Sequence, residues 1–173
     1  DKTGTLTQGR PTVTDVKVSS GETAFVDVNE VLRIAASLEQ GSTHPLAAAL
    51  VTEAKARGLV LETLSEVTAE PGKGIKGIVA GKVVRVGSPD WLDIPASAVQ
   101  GSQVAVEVDG KVIGVIAVAD PLRESSKAAV VRLQKLGVEV MMLTGDNAAT
   151  AAEIALQAGV NRFEANVLPG DKA

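Results

Sequence analysis

The stretch Gly137-Val138-Glu139-Val140-Met141-Met142-Leu143-Thr144-Gly145-Asp146-Asn147 sets a short apolar run between a turn residue and a polar segment. A periodic helical pattern from about Arg123 to Leu136 precedes it. A second helix from about Ala148 to Ala158 follows, then Gly159 and a short extended stretch from Arg162 to Asn166. Helix, apolar strand from Val138 to Leu143, and helix in that order predict a parallel sheet with helices on its faces. Ligands of such sheets sit at the C-terminal ends of strands. Thr144, Gly145 and Asp146 are therefore candidate site residues, with the Thr144 hydroxyl able to donate to a ligand oxygen. Taken alone, a Thr-Gly-Asp triplet is also a common helix N-cap.

Upstream the pattern changes. Val13 to Ser19 reads as a strand. Asp27-Val28-Asn29-Glu30 offers an N-cap with an acid three residues on, before the apolar-periodic Val31, Leu32, Ile34, Ala35 and Leu38, so a helix is expected to end near Gly41. Pro45 suits the first position of a second helix running to about Arg57, with Gly58 as its stop. Leu61 to Ala69, Gly74 to Ala80, Lys82 to Val86, Gln103 to Val108 and Val112 to Ala119 are strand candidates. Asp109-Gly110 and Ala80-Gly81 stand at hairpin turns. A helix pair on an antiparallel sheet is an α+β arrangement. The predicted architecture is thus α/β overall. Residues 1–12 and 119–173 form a split parallel-sheet domain, and residues 13–118 form an α+β domain inserted into it.

Composition narrows the function. The chain has 173 residues, of which 45% are hydrophobic, which suits a globular protein with a real core. Only 2% are aromatic, so the core is aliphatic and base-stacking platforms for single-stranded nucleic acid are not expected. A net charge of −4 with no run of Lys or Arg argues against nucleic acid or an anionic membrane surface as partner. With no Cys and a single His, neither disulfides nor a thiolate or His-rich metal site is available. No stretch approaches the roughly 18–20 apolar residues that span a bilayer, and no signal peptide is visible. The chain opens at Asp1 without the apolar strand that its first motif normally follows, and reads as a fragment.

That first motif is Asp1-Lys2-Thr3-Gly4-Thr5-Leu6-Thr7. A carboxylate followed by Gly and hydroxyl residues can attack phosphorus and hold the phosphoryl group with backbone amides. The seven residues resemble, at every position, the phosphorylation motif of P-type ATPases, members of the haloacid-dehalogenase superfamily. The resemblance implies that Asp1 is the phosphate acceptor. Soluble phosphatases of the superfamily place a second Asp where Thr3 stands here, and Thr3 cannot shuttle protons at neutral pH. Thr144-Gly145-Asp146 resembles the superfamily's second motif. Lys172, in Leu168-Pro169-Gly170-Asp171-Lys172, resembles the third, whose lysine neutralises charge on the transferring phosphoryl group. The fourth motif, which completes the magnesium site, does not occur. Asp1 and the backbone carbonyl of Thr3 are left as the implied Mg²⁺ ligands, the remaining positions going to water.

The inserted domain carries a second set of residues. Glu39 and Gly41-Ser42-Thr43-His44-Pro45-Leu46-Ala47 resemble the His-Pro motif of the heavy-metal subfamily. Read from the residues alone, His44 either caps a helix or sits in the core, or stacks on or hydrogen-bonds to an adenine. Pro71-Gly72-Lys73-Gly74-Ile75 is a glycine-rich turn that lets backbone approach a ligand. The resemblance implies that Glu39 accepts from the adenine amino group, that His44 orients the base, and that Gly72, Gly74 and Ile75 line the pocket. Gly87-Ser88-Pro89-Asp90-Trp91-Leu92 resembles a further nucleotide-contacting segment in which Ser88 replaces the Asn of copper pumps. Trp91 reads as a core anchor. The Ser-Thr-His-Pro wording resembles the zinc-, cadmium- and lead-exporting branch more than the copper one.

The expectation is the ATP-binding and phosphorylation region of a metal-exporting P-type ATPase. Its cofactors are ATP and Mg²⁺, its partners are the parent's transmembrane and actuator domains, and its place is the cytoplasmic face of a membrane. Two other readings stand beside it: a stand-alone phosphatase of the same superfamily, and a non-catalytic nucleotide-binding module.

Overall fold

The computed structural model describes residues 1–19, 26–95, 102–146 and 148–167. The chain divides into two compact units, Asp1–Arg10 with Asp120–Ala173, and Pro11–Ala119.

In the second unit six antiparallel strands, β1 (Thr12–Val18), β2 (Leu64–Glu70), β3 (Gly74–Val79), β4 (Lys82–Gly87), β5 (Ser102–Val108) and β6 (Lys111–Ala119), lie in the order β1-β6-β5-β4-β3-β2. Helices α1 (Val28–Glu39) and α2 (Pro45–Ala56) pack together, and α1 lies on the sheet. The start of α1 is set by Asp27, whose carboxylate accepts from the Glu30 N–H at 2.8 Å, a cap worth about 1 kcal/mol. Its buried stripe of Val31, Leu32, Ala35 and Leu38 meets Val84, Val86, Val106, Ile116 and Val118 of the sheet. Two glycines allow this close approach. A Cβ on Gly114 would lie 2.9 Å from Val31, and one on Gly77 would lie 2.8 Å from Leu38. The Asp109-Gly110 and Ala80-Gly81 turns have positive φ at both residues, the mirror-image turn whose twist matches a hairpin.

One strand starts later than its apolar pattern suggests. Leu61 to Thr63 lie outside β2: the Glu62 polar groups go to the end of α1, while the Thr63 carbonyl accepts from the Ala80 N–H at 3.3 Å. Leu59 N–H donates to the Ala54 carbonyl, Glu62 N–H donates to Ser37 Oγ, and Gln40 Nε2 donates to the Glu62 carbonyl.

The first unit contains α3 (Glu124–Lys135), β7 (Met141–Leu143), α4 (Ala148–Ala158) and β8 (Arg162–Glu164), with β7 and β8 parallel. Val138 to Val140, expected as strand, are not. Gly137, at φ +77°, closes α3, and the Val138 N–H returns to the Leu133 carbonyl at 3.1 Å as part of that cap. The partner β8 is also only three residues long. Val130, Met142, Ala151, Ala155, Ala158 and Val160 form this unit's core.

Substituting Gly114→Ala would place a methyl 2.5 Å from the Lys17 carbonyl oxygen across the β1–β6 pair. The expected result is a loss of about 1–3 kcal/mol from overpacking, read as a lower urea midpoint for this unit.

Candidate functional site

The Asp1–Thr7 motif folds as a wide turn. The Thr7 N–H closes it onto the Lys2 carbonyl at 3.1 Å, while Thr3 (φ −69°, ψ 124°) and Gly4 (φ 75°, ψ −9°) take the angles of a type II turn, whose second position favours glycine. Nothing lies within 4 Å of a Cβ built on Gly4, so the loop's outer face is open. Asp1 and Thr3 are exposed. The Asp1 carboxylate accepts from the Lys2 N–H at 2.9 Å.

Lys2 is buried, and its ammonium forms an ion pair with Asp146 at the end of β7. Asp146 Oδ2 has no aligned hydrogen-bond donor among the described residues, so the contact is one of charge. This pair brings the first and second motifs together. Thr144, only 1% exposed, accepts from the Asp146 N–H at 3.1 Å through its hydroxyl. Its own hydroxyl proton remains available to an acceptor. A Cβ built on Gly145 would lie 3.4 Å from the Val167 carbonyl oxygen. Lys172 lies outside the described residues.

The sequence reading missed what holds the loop. Thr7 is fully buried, and its hydroxyl lies 2.5 Å from Asp120 Oδ2 and 3.2 Å from the Lys2 carbonyl. A hydroxyl has one proton, and the shorter, charge-assisted bond to Asp120 takes it. The same oxygen accepts from the Gly4 N–H at 3.3 Å. Arg123 donates to the carbonyls of Thr7 (3.0 Å) and Gly4 (2.8 Å), and Ser126 Oγ donates to that of Leu6 (2.6 Å). Asp120-Pro121 read only as a boundary and Arg123 only as a helix start. A clue was present: an acid and a base within four residues, just where the inserted segment returns.

In the other unit, Glu39 ends α1 and His44 precedes α2. His44 Nδ1 accepts from the Leu46 N–H at 3.2 Å, which caps the helix, assigns the ring proton to Nε2 and leaves that edge exposed. Burial raises the Glu39 carboxyl above its ordinary value, opposed by a hydrogen bond from Ser42 and by the neighbouring His44. Pro71-Gly72 makes the β2–β3 turn, with Gly72 at φ +74° and the Lys73 N–H bonded to the Glu70 carbonyl at 3.0 Å. Gly74 pairs with Gly87 across β3 and β4, and the Ser88 N–H donates to the Lys73 carbonyl at 2.8 Å, so Ser88 is brought to the glycine turn. The Ile75 side chain is buried in the core, so what it can offer a ligand is backbone.

Residues 1–172 match the haloacid dehalogenase-like hydrolase family. A copper-transporting ATPase of Helicobacter felis is 40% identical over 174 residues, 99% of this chain and 23% of that protein. A copper-exporting P-type ATPase B of Archaeoglobus fulgidus is 43% identical, over 100% of this chain and 26% of its own length. A solved zinc-transporting PIB-type ATPase in its E2.Pi state superimposes with a TM-score of 0.81 at 38% identity, over 99% of this chain and 29% of that one. The chain thus spans about a quarter of the length of these curated relatives.

Thr7→Ala removes both the donor to Asp120 and the acceptor for Gly4. We expect a loss of about 1–3 kcal/mol, seen as faster hydrogen exchange at the Gly4 amide. Glu39 titrates with a sign that can be worked out. The native state holds its proton to higher pH than the unfolded chain, so its contribution to stability is full below the ordinary carboxylate pKa and is lost as pH rises through the raised native value. Urea midpoints of wild type should therefore fall, relative to Glu39→Gln, on moving upward from about pH 4, and then run parallel.

Proposed function

Given that the chain belongs to the haloacid dehalogenase-like hydrolases and is homologous to the nucleotide-binding and phosphorylation domains of metal-transporting P-type ATPases, we propose that it binds ATP and passes its γ-phosphoryl group to Asp1. Residues 13–118 bind the nucleotide, and residues 1–12 with 119–173 carry the acceptor. The observation that carries this reading is the Lys2–Asp146 pair, which holds an exposed Asp1 beside the Thr144–Asp146 segment.

In the nucleotide domain, Glu39 accepts from the adenine amino group, and the Nε2 edge of His44 faces the base. The backbone of Gly72, Gly74 and Ile75, with Ser88, borders the pocket. In the acceptor domain an Asp1 carboxylate oxygen attacks the γ-phosphorus in line. The new O–P bond forms as the bond to the bridging oxygen breaks, and ADP departs with that electron pair. Thr144 and the amides of the Gly4 turn donate to the phosphoryl oxygens, and Lys172 offsets their charge. Among the described residues no group of three His, Cys, Asp or Glu could hold a metal. The donors present are the Asp1 carboxylate and the Thr3 carbonyl, which suit Mg²⁺, a cation that keeps several waters. When bound, it supplies charge neutralisation between Asp1 and the phosphate. Thr3, lacking a carboxylate, leaves the aspartyl phosphate without a general base, so it persists.

In the parent protein this intermediate drives metal export from the cytoplasmic face, working with transmembrane and actuator domains. No helix among the described residues is long and apolar enough to cross a membrane. The Ser42-Thr43-His44-Pro45 wording and the zinc-transporting structure support a zinc-, cadmium- or lead-exporting parent. The names of the relatives support copper. Which metal stimulates ATP hydrolysis by the parent decides the point. A second reading, nucleotide binding without phosphate uptake by these 173 residues, is favoured by the lack of a carboxylate cluster among those described.

Calorimetric titration with Mg-ATP should give saturable binding that weakens about tenfold or more in His44→Ala. Equal binding by the two proteins would sink the nucleotide assignment. Phosphate from γ-labelled ATP, if taken up, should be absent from Asp1→Asn.

A further inference from the structure

Trp91 is the chain's single tryptophan, and it does not merely fill core. It lies in the short turn Pro89–Leu92 after β4, half-buried. Its ring edge faces two glycines. A Cβ on Gly74 would lie 2.9 Å from Cζ3, and one on Gly87 would lie 2.6 Å from Cε3. The same two positions are crowded by backbone: Gly74 by the Val86 carbonyl and Gly87 by the Lys73 carbonyl, at 2.2 and 2.3 Å from the built Cβ. The glycine turn is therefore seated against an indole edge, where any side chain would push it away.

The indole is itself fixed. The Arg85 guanidinium sits 4.8 Å from the ring centroid, within cation–π range. Arg85 Nη2 donates to the Trp91 carbonyl at 3.1 Å. Arg85 Nε lies 3.3 Å from Glu107 Oε1, its direct cross-strand partner on β5. That contact is too misaligned to count as a hydrogen bond, so Glu107 holds Arg85 by charge. A continuous set of contacts runs from Glu107 through Arg85 and Trp91 to Gly74. It ends at the Lys73 carbonyl, which accepts from the Ser88 N–H.

We infer that Trp91, locked by Arg85 and Glu107, is a positioning residue that sets the Gly72–Ile75 turn and Ser88 at the distance a nucleotide requires. The inference rests on the ATP site proposed above and deepens it. Neither Arg85 nor Trp91 needs to touch the ligand. Their work is done in the free protein, by removing alternative positions of the turn before binding.

The test uses the whole 173-residue chain. Arg85→Met keeps an unbranched, flexible side chain but loses the charge, the carbonyl bond and the Glu107 pair. We expect its ATP affinity to fall about three- to tenfold, the change that losing contacts of this kind gives. The amide resonances of Gly72 and Gly74 should shift in the free protein, and the thermal midpoint should stay close to wild type. Arg85→Lys should recover most of the affinity, and Trp91→Phe should recover more than Trp91→Leu. Wild-type affinity in Arg85→Met, or loss only in proportion to unfolded protein, overturns the inference and leaves the ATP site standing. Absence of ATP binding by wild type overturns the site itself, and this inference with it.

Discussion

The bond from the Thr7 hydroxyl to the Asp120 carboxylate is the constraint on which the Asp1 loop depends. Thr7 is fully buried, so its hydroxyl needs a partner inside the protein. Asp120 supplies that partner, and its other oxygen accepts from the Arg10 N–H at 3.1 Å. One carboxylate thereby fastens the segment after Asp1 at two points, Thr7 and Arg10. Arg123 and Ser126 take up three of the loop's carbonyls, and the Gln8 N–H donates to the Pro121 carbonyl. What stays open is the face at Gly4, and Asp1 lies at the surface. A loop satisfied on its inner side can leave amides for a phosphate on its outer side without fraying.

In the Pro11–Ala119 unit one residue offers two separate ring atoms. His44 caps α2 through Nδ1, which freezes its ring and tautomer, and the opposite nitrogen faces outward. The structural and the ligand-binding readings of this histidine do not compete, because they use different atoms. Glu39 is placed by the last turn of a helix whose buried stripe rests on Gly77 and Gly114. Its raised pKa is the electrostatic cost of lying at the edge of that packed face.

Much of this was legible from local chemistry. The Asp27 cap, Pro45 at a helix start and the Asp109-Gly110 hairpin each follow from a few adjacent residues, and all three are found. The change from antiparallel strands to helix-strand-helix after Asp120 was readable in the same way. Failures occurred where a distant group claimed a backbone that local pattern had assigned elsewhere. Val138 goes to the cap of α3, and Glu62 is taken by Ser37 and Gln40. The support of the Asp1 loop was illegible for the same reason, since Thr7 and Asp120 are 113 residues apart. Trp91 reads in the sequence as a core anchor, whereas the structure leaves it half-buried and outside the core cluster.

The pairing of β1 with β6 also bears on how the chain reaches its fold. Thr12 and Ala119 are 107 residues apart, yet they are opposite one another. During synthesis the first strand emerges long before β6, its neighbour in the sheet, so it waits unpaired while β2 to β5 form their own hairpins. Closing that long loop is an entropic step that falls late. Once it closes, Arg10 and Asp120 become neighbours. The Asp1 loop can then acquire its supports only after the whole insertion has folded, so a chain with a misfolded Pro11–Ala119 unit would also lack an ordered Asp1 loop.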